Sequence, residues 1–402
     1  MNKTSKSLFT AVLIAVLGIS TMVSVAVESP ALVAKERLGK LIFFDTDLSL
    51  NGNQSCASCH GPGAGWAGDL SEVNAHGAVY EGSIPGAFGD RKPPSSAYAT
   101  FSPIFHMDKK GLFVGGNFWD GRATGEKLGN PAADQAQGPF LNPVEQALAA
   151  PADVVTKVCA ASSYGDLFKQ VWGAETCDSG NVNMAYDAIA LSIAAYEASP
   201  EVNSFTSKWD YSLKGAAKLT KLERKGFALF QGKGQCKSCH LSSGKNALFT
   251  DFSYDNLGLP KNPENPVYGN NPSFIDSGLG GFLASRSDYA AFAEANKGKH
   301  KVPTLRNVDL RPSSDFVKAF GHNGYFKTLE GIVHFYNTRD VLPACPGDYT
   351  EAEALAENCW PAPEVPENVN TAELGNLGLS PAEEAAIVAF LKTLSDGYIP
   401  IK

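Results

Sequence analysis

Two copies of one short motif carry the clearest chemistry in this chain: Cys56-Ala57-Ser58-Cys59-His60 and Cys236-Lys237-Ser238-Cys239-His240. A single pair of thiols at this spacing suits a thioredoxin-like redox site or half of a zinc site. Two copies, each closed by a histidine, read instead as attachment sites for c-type haem. The spacing serves the chemistry. Two thiols bond the two vinyl groups of one porphyrin, and the adjacent histidine sits beneath the iron as its proximal ligand. Cys56, Cys59, Cys236 and Cys239 are therefore expected to hold two covalent haems c, with His60 and His240 on the irons.

The other face of each iron is usually taken by Met or His. The four methionines are Met1, Met22, Met107 and Met184, and none follows Cys239. The second half therefore offers His300, His322, His334 and Tyr336. The segment from Lys327 to Thr338 predicts a helix with Leu329, Ile332, Val333 and Tyr336 on one face. At about 100° per residue, Tyr336 lies about 20° from Leu329 and His334 about 140° away. Tyr336 is the expected ligand, with His322 its chief competitor. A hard anionic oxygen on the iron would favour the ferric state. For the first iron, His76 lies 16 residues after His60 in a Gly-rich loop, where it could close the distal face or swing away. His106 is a further candidate. A position that can open is what peroxide or oxygen activation needs.

These groups need elements to position them. Each motif follows an amphipathic helical stretch and a Gly-containing loop, LGKLIFFDTDLSLNGNQS before the first and LTKLERKGFALFQGKGQ before the second. Residues 185–199 read as a buried helix. Residues 380–396 read as a final helix with Ser380 as N-cap, Pro381 at the first helical position and Glu383 completing a capping box. The expected fold is mainly α: two cytochrome c-like haem domains with long loops, 27–203 and 204–402. A length of 402 residues suits two domains.

Residues 1–26 read as a signal peptide. Lys3 and Lys6 precede an apolar run, and Ser24 and Ala26 suit cleavage. The mature chain is then expected in the periplasm, with no stable membrane insertion. Export permits disulfides. The remaining cysteines fall as two local pairs, Cys159/Cys177 and Cys345/Cys359, most economically two short-loop disulfides. Each would contribute about 3 kcal/mol on the chain-entropy model. The net charge is −8 and no long basic run is present, which argues against nucleic-acid binding.

Further motifs give the chain a wider resemblance. It carries Phe118-Trp119-Asp120-Gly121-Arg122, Gln135-Ala136-Gln137-Gly138-Pro139 and Asn142-Pro143-Val144-Glu145. Val302-Pro303-Thr304-Leu305-Arg306-Asn307-Val308 and His322-Asn323-Gly324 follow. With both haem motifs, it resembles the bacterial dihaem cytochrome c peroxidase and MauG superfamily over most of its length. The resemblance implies that Trp119 lies between the haems, that Glu145 is the distal acid/base of the first haem, and that Gln135 and Pro139 line its distal pocket. It also separates subfamilies by the residue 14 positions beyond the His-x-Gly histidine. That residue is Met in peroxidases and Tyr in MauG-like members, and here it is Tyr336. The peroxidases' loop histidine matches His76, which MauG lacks, so the chain mixes two patterns. A calcium ion between the haems is implied too, but two departures speak against it. Lys92 stands where an Asn usually contributes, and extra residues separate Asn307 from His322.

These readings give each residue a role. Glu145 moves a proton between peroxide oxygens, and Trp119 relays electrons. Arg122 is expected to pair with haem propionates. The leading function is a periplasmic MauG-like enzyme. It reacts with hydrogen peroxide, stores two oxidising equivalents across both haems and Trp119, and oxidises a protein Trp or Tyr. The alternative is a respiratory-type cytochrome c peroxidase drawing electrons from a small cytochrome c or cupredoxin. A dihaem electron carrier, in which Glu145 is dispensable, is the third.

Overall fold

A computed structural model describes residues 32–400. The segment read as a signal peptide lies outside the described residues. Among those described, no helix is long and apolar enough to cross a membrane. The chain is helix-rich. Its two regular sheets are antiparallel strand pairs of two residues each, His106–Met107 with Phe113–Val114 and Tyr254–Asp255 with His300–Lys301.

Six helices carry the frame. In the first half they are α1 (Ala34–Phe43), α2 (Pro151–Ala160) and α3 (Val182–Glu197). In the second half they are α4 (Lys221–Gln231), α5 (Leu329–Thr338) and α6 (Pro381–Leu391). The cap expected for α6 is present: the Ser380 N–H donates to Glu383 Oε2 at 2.9 Å. The α3 helix buries Ala185, Ile189, Ser192, Ile193 and Tyr196, which needs apolar neighbours nearly all round.

One helix crossing is built twice. Gly39 of α1 lies on α3 so closely that a Cβ there would collide with the Ser192 carbonyl. Gly226 of α4 meets the Ala386 carbonyl of α6 in the same way. Four residues on, Phe43 packs against Tyr196 at 5.6 Å between ring centroids, and Phe230 packs against Phe390 at 5.2 Å. Glycine allows the backbones to touch, and the aromatic pair one turn later fixes the crossing. Each haem motif follows its crossing helix.

The large apolar clusters follow this repeat. One runs from Leu38 to Val202 and the other from Trp209 to Leu394. A third joins the halves, with Phe105 and Phe113 packed against Tyr254, Leu279 and Leu283. The two expected disulfides are formed, Cys159–Cys177 and Cys345–Cys359. In the second half Arg306, fully buried, grips Asp210 at 2.9 and 3.0 Å. Burial alone would raise the Asp210 pKa, but the guanidinium brings it below the ordinary range.

Candidate functional site

Each Cys-x-x-Cys-His segment forms one 3₁₀ turn, and the four thiols are unpaired. His60 Nδ1 lies 3.3 Å from the Trp66 carbonyl and His240 Nδ1 lies 2.8 Å from the Phe249 carbonyl. Those contacts orient the rings and leave Nε2 for a metal. Burial lowers both pKa values, that of His60 to about 4, so the rings are the neutral form that ligates.

The first motif opens on a cavity of about 30 Å³ lined by Cys56, Cys59, His60, Gln135, Pro139 and Glu145. The structure thus brings together residues spread over ninety positions of sequence. Glu145 sits in a turn after a short helix, not in a helical first turn. Its Oε1 accepts from Asn142 Nδ2 at 2.7 Å, and its carbonyl accepts from Ser83 N–H at 2.6 Å. Burial raises its pKa, with the Asn142 bond opposing. Gln54, Gln146 and Glu197 also line this cavity, with Ser55 and Ser96. Gln54 Oε1 and Gln146 Oε1 are buried without partners. Glu197, the last residue of α3, is 3% exposed, and burial pushes its pKa up to about 8. Sequence reasoning missed it, although a carboxylate ending a buried apolar helix is a visible anomaly.

The second motif opens on a larger cavity of about 220 Å³. Cys236, Cys239 and His240 share its wall with Tyr336, Leu329, Ile332 and Val333, the face of α5 that the periodicity singled out. Burial first, then Cys236 and Cys239 nearby, raise the Tyr336 pKa. His334 points elsewhere and pairs with Glu384 at 3.1 Å. His300 and His322 also reach this wall, stacked at 3.5 Å between centroids and 7° between planes. Their Nε2 atoms are buried without partners beside Asp276, whose carboxylate is held by Arg91 at 2.6 and 2.7 Å. Parallel rings cannot both aim in-plane lone pairs at one ion, so this trio does not form a metal site.

Trp119 stands on the same wall, 8% exposed, its Nε1 donating to the Lys92 carbonyl at 2.7 Å. Its ring meets His322 edge-on at 6.5 Å. The local chain is demanding. Phe118 takes φ 61°, and Gly121 at φ 81° packs where a Cβ would strike the Tyr254 hydroxyl.

Three candidates lie away from both cavities. His76 is exposed, between Glu72 at 3.2 Å and Glu264 at 3.0 Å, and does not line the first cavity. Those carboxylates draw the ring outward and raise its pKa. His106 is exposed as well, bonded to the Ile104 carbonyl. Arg122 lines neither cavity. It pairs with Asp120 at 2.7 Å and stacks on Phe118 at 3.9 Å, satisfied within its own motif.

The donor groups at both places suit a haem. Each offers two free thiols, an oriented neutral imidazole and a cavity. The second adds the Tyr336 hydroxyl and the aliphatic face of α5. Calcium does not fit. Lys92 and Lys318 are buried on the second cavity wall, and Asp276 and Asp309 are already paired with Arg91 and Arg311.

Comparisons with known proteins agree with this chemistry. Residues 33–218 match the family described as di-haem cytochrome c peroxidase. The chain is 36% identical over 378 residues to the methylamine utilization protein MauG of Paracoccus denitrificans, covering 91% of this chain and 90% of that one. It is 29% identical over 298 residues to the cytochrome c551 peroxidase of Nitrosomonas europaea, covering 74% and 70%. The crystal structure of the diheme peroxidase BthA from Burkholderia thailandensis superposes with a TM-score of 0.76 at 31% identity, covering 90% of this chain and 86% of that one.

Proposed function

The chain belongs to the di-haem cytochrome c peroxidase and MauG family of haem oxidoreductases, and from that premise we propose that it is a periplasmic MauG-like enzyme. It uses hydrogen peroxide to withdraw two electrons from a protein partner, oxidising a Trp or Tyr of that partner. Two cytochrome c-like domains, 27–203 and 204–402, each carry one haem through Cys56 and Cys59 or Cys236 and Cys239, with His60 and His240 as proximal ligands. When bound, the haem irons supply the redox centres for peroxide cleavage and electron storage.

The protein's own groups do the rest. Cleaving the O–O bond requires a proton to leave the near oxygen and arrive at the far one, which departs as water. Glu145 does this, with its Oε1 held by Asn142 and its affinity for the proton raised by burial. Gln135 offers an amide to hold peroxide, and Pro139 keeps one side of the cavity apolar. Trp119, in a buried position beside Lys92, relays electrons from the second half to the first.

The single observation that carries the MauG-like reading is Tyr336 on the wall beside His240, in a half with no methionine. A phenolate ligand stabilises oxidised iron, which suits a centre that stores oxidising equivalents. The second reading, a peroxidase fed by a small cytochrome c or cupredoxin, is supported by the similarity to proteins named cytochrome c551 peroxidase.

Adding one equivalent of peroxide to the fully ferric protein separates them. Loss of both ferric electron paramagnetic resonance signals together, with a new near-infrared band, is the expected result. Inertness until one haem is reduced would transfer the assignment to the respiratory-type peroxidase.

A further inference from the structure

The boundary between the halves holds an arrangement that the peroxide reading does not use. Lys318 is 6% exposed, yet its Nζ is within reach of three backbone carbonyls: Ala64 at 2.8 Å, Asn307 at 2.6 Å and Leu310 at 2.9 Å. Burial and the nearby Lys92 lower the Lys318 pKa, yet three acceptors require three N–H donors, which only the ammonium form provides, and the three carbonyls hold that form. Ala64 belongs to the loop after His60, whereas Asn307 and Leu310 follow the second cavity's wall. One positive charge therefore ties the first haem's loop to the second haem's envelope. Lys92, 8% exposed, stands near it on the same wall, with its Nζ on the Pro93 carbonyl at 2.9 Å.

The oxygens a divalent cation would need are already committed. Calcium takes six to eight oxygen ligands. Here the carbonyl cage is filled by Lys318, and the Asn307 side-chain oxygen accepts from the Asp396 N–H at 2.8 Å. Of the nearest carboxylates, Asp309 pairs with Arg311 at 2.5 Å and Asp276 pairs with Arg91. A divalent ion would also face the Lys318 ammonium at close range, and like charges repel strongly where water is scarce.

We propose that the Lys318 ammonium, with Lys92 beside it, is a built-in cation that replaces the calcium ion implied by the family resemblance, so that the two haem regions are held in register without any divalent metal. The inference is independent of which substrate the enzyme oxidises.

Metal analysis of the purified dihaem protein tests it. After passage through a chelator, fewer than about 0.1 calcium ions per chain are expected, and about 1 mM calcium should leave the melting temperature and both ferric haem spectra unchanged. Calcium retained at about one per chain, or spectra lost to the chelator and restored by calcium, would overturn the proposal. Lys318→Met gives a second reading that does not depend on activity. With three carbonyls stripped of their donor, a lower melting temperature and altered signals from both haems are expected. A Lys318→Met protein matching the native one in both would overturn the proposal as well. If that variant fails to accumulate, the metal analysis of the native protein alone decides.

Discussion

The first cavity is walled by acids and amides, with Glu145, Glu197, Gln135, Gln54 and Gln146 around one imidazole. The second is walled by the Tyr336 phenol and an aliphatic helix face, with imidazoles, lysines and the carboxylates Asp255, Asp276, Glu364 and Glu373 around them. Both are built on the same helix crossing, Gly39 under Ser192 and Gly226 under Ala386. The difference therefore lies in what the loops add to a repeated frame. A wall of carboxyl and amide groups can shuttle protons and bind a small polar oxidant. A wall offering one hard oxygen ligand can hold charge. The contrast supports the proposed division between a reacting and a storing site, since Glu145 stands on the first wall and the Tyr336 phenol on the second.

The largest effect should come from the proton shuttle. Glu145→Gln should slow the peroxide reaction by about 10²–10⁴-fold in stopped-flow absorbance, leaving the second haem's spectrum intact. Because burial raises the Glu145 pKa, the native rate should climb with pH through an inflection above the ordinary carboxylate range. The Gln variant should lose that inflection. An undiminished rate would end the assignment of the first cavity as the reactive one.

Tyr336→His attacks the other side of the comparison. It should raise the second haem's reduction potential and change its ferric spectrum, while the first haem's signal stays as it was. Spectra indistinguishable from the native protein would remove Tyr336 from the iron.

The shared frame can be tested in parallel. Gly39→Ala and Gly226→Ala each force a methyl group into a carbonyl, and overpacking of this kind costs about 1–3 kcal/mol. Each should lower the melting temperature and broaden chiefly the signals of its own haem. If only one of them destabilises, the repeat is not equally built.

A further effect is a pH dependence at Glu197. Its folded pKa, raised from 4.5 to about 8, means that the folded state holds a proton the unfolded state releases. Stability from this group is fullest below pH 4.5 and falls as pH rises toward 8, by about 1.4 kcal/mol per pH unit at most. Glu197→Gln should therefore gain melting temperature over the native protein as pH goes from 5 to 8. A pH-independent difference would mean that Glu197 is not held protonated.

Much of this could be read from the chain itself. The two haem motifs, the cysteine pairs and the helices at 185–199 and 380–396 follow from local spacing, and local spacing survives folding. Elimination of methionine and the 100° periodicity put Tyr336 on the correct face of α5 because a helix fixes side-chain directions over short distances. The sequence could not choose between the two positions of His76 for the opposite reason. Its offset from His60 says nothing about Glu264, 188 residues away, which holds the ring at the surface. Arg122, expected at a haem propionate, pairs here with Asp120, two residues earlier.

The sequence by itself determined which cofactor the chain is built to carry, how many, and where the helical envelopes lie, since those depend on covalent spacing and hydrophobic period. Only the tertiary structure decided that Glu197 and two glutamine carbonyls join Glu145, that Trp119 stands against the stacked His300 and His322, and that Lys318 fills a cage. The carbonyls of that cage come from residues 64, 307 and 310. Backbone carbonyls carry no sequence signature, so a site made of them exists only once the chain has folded.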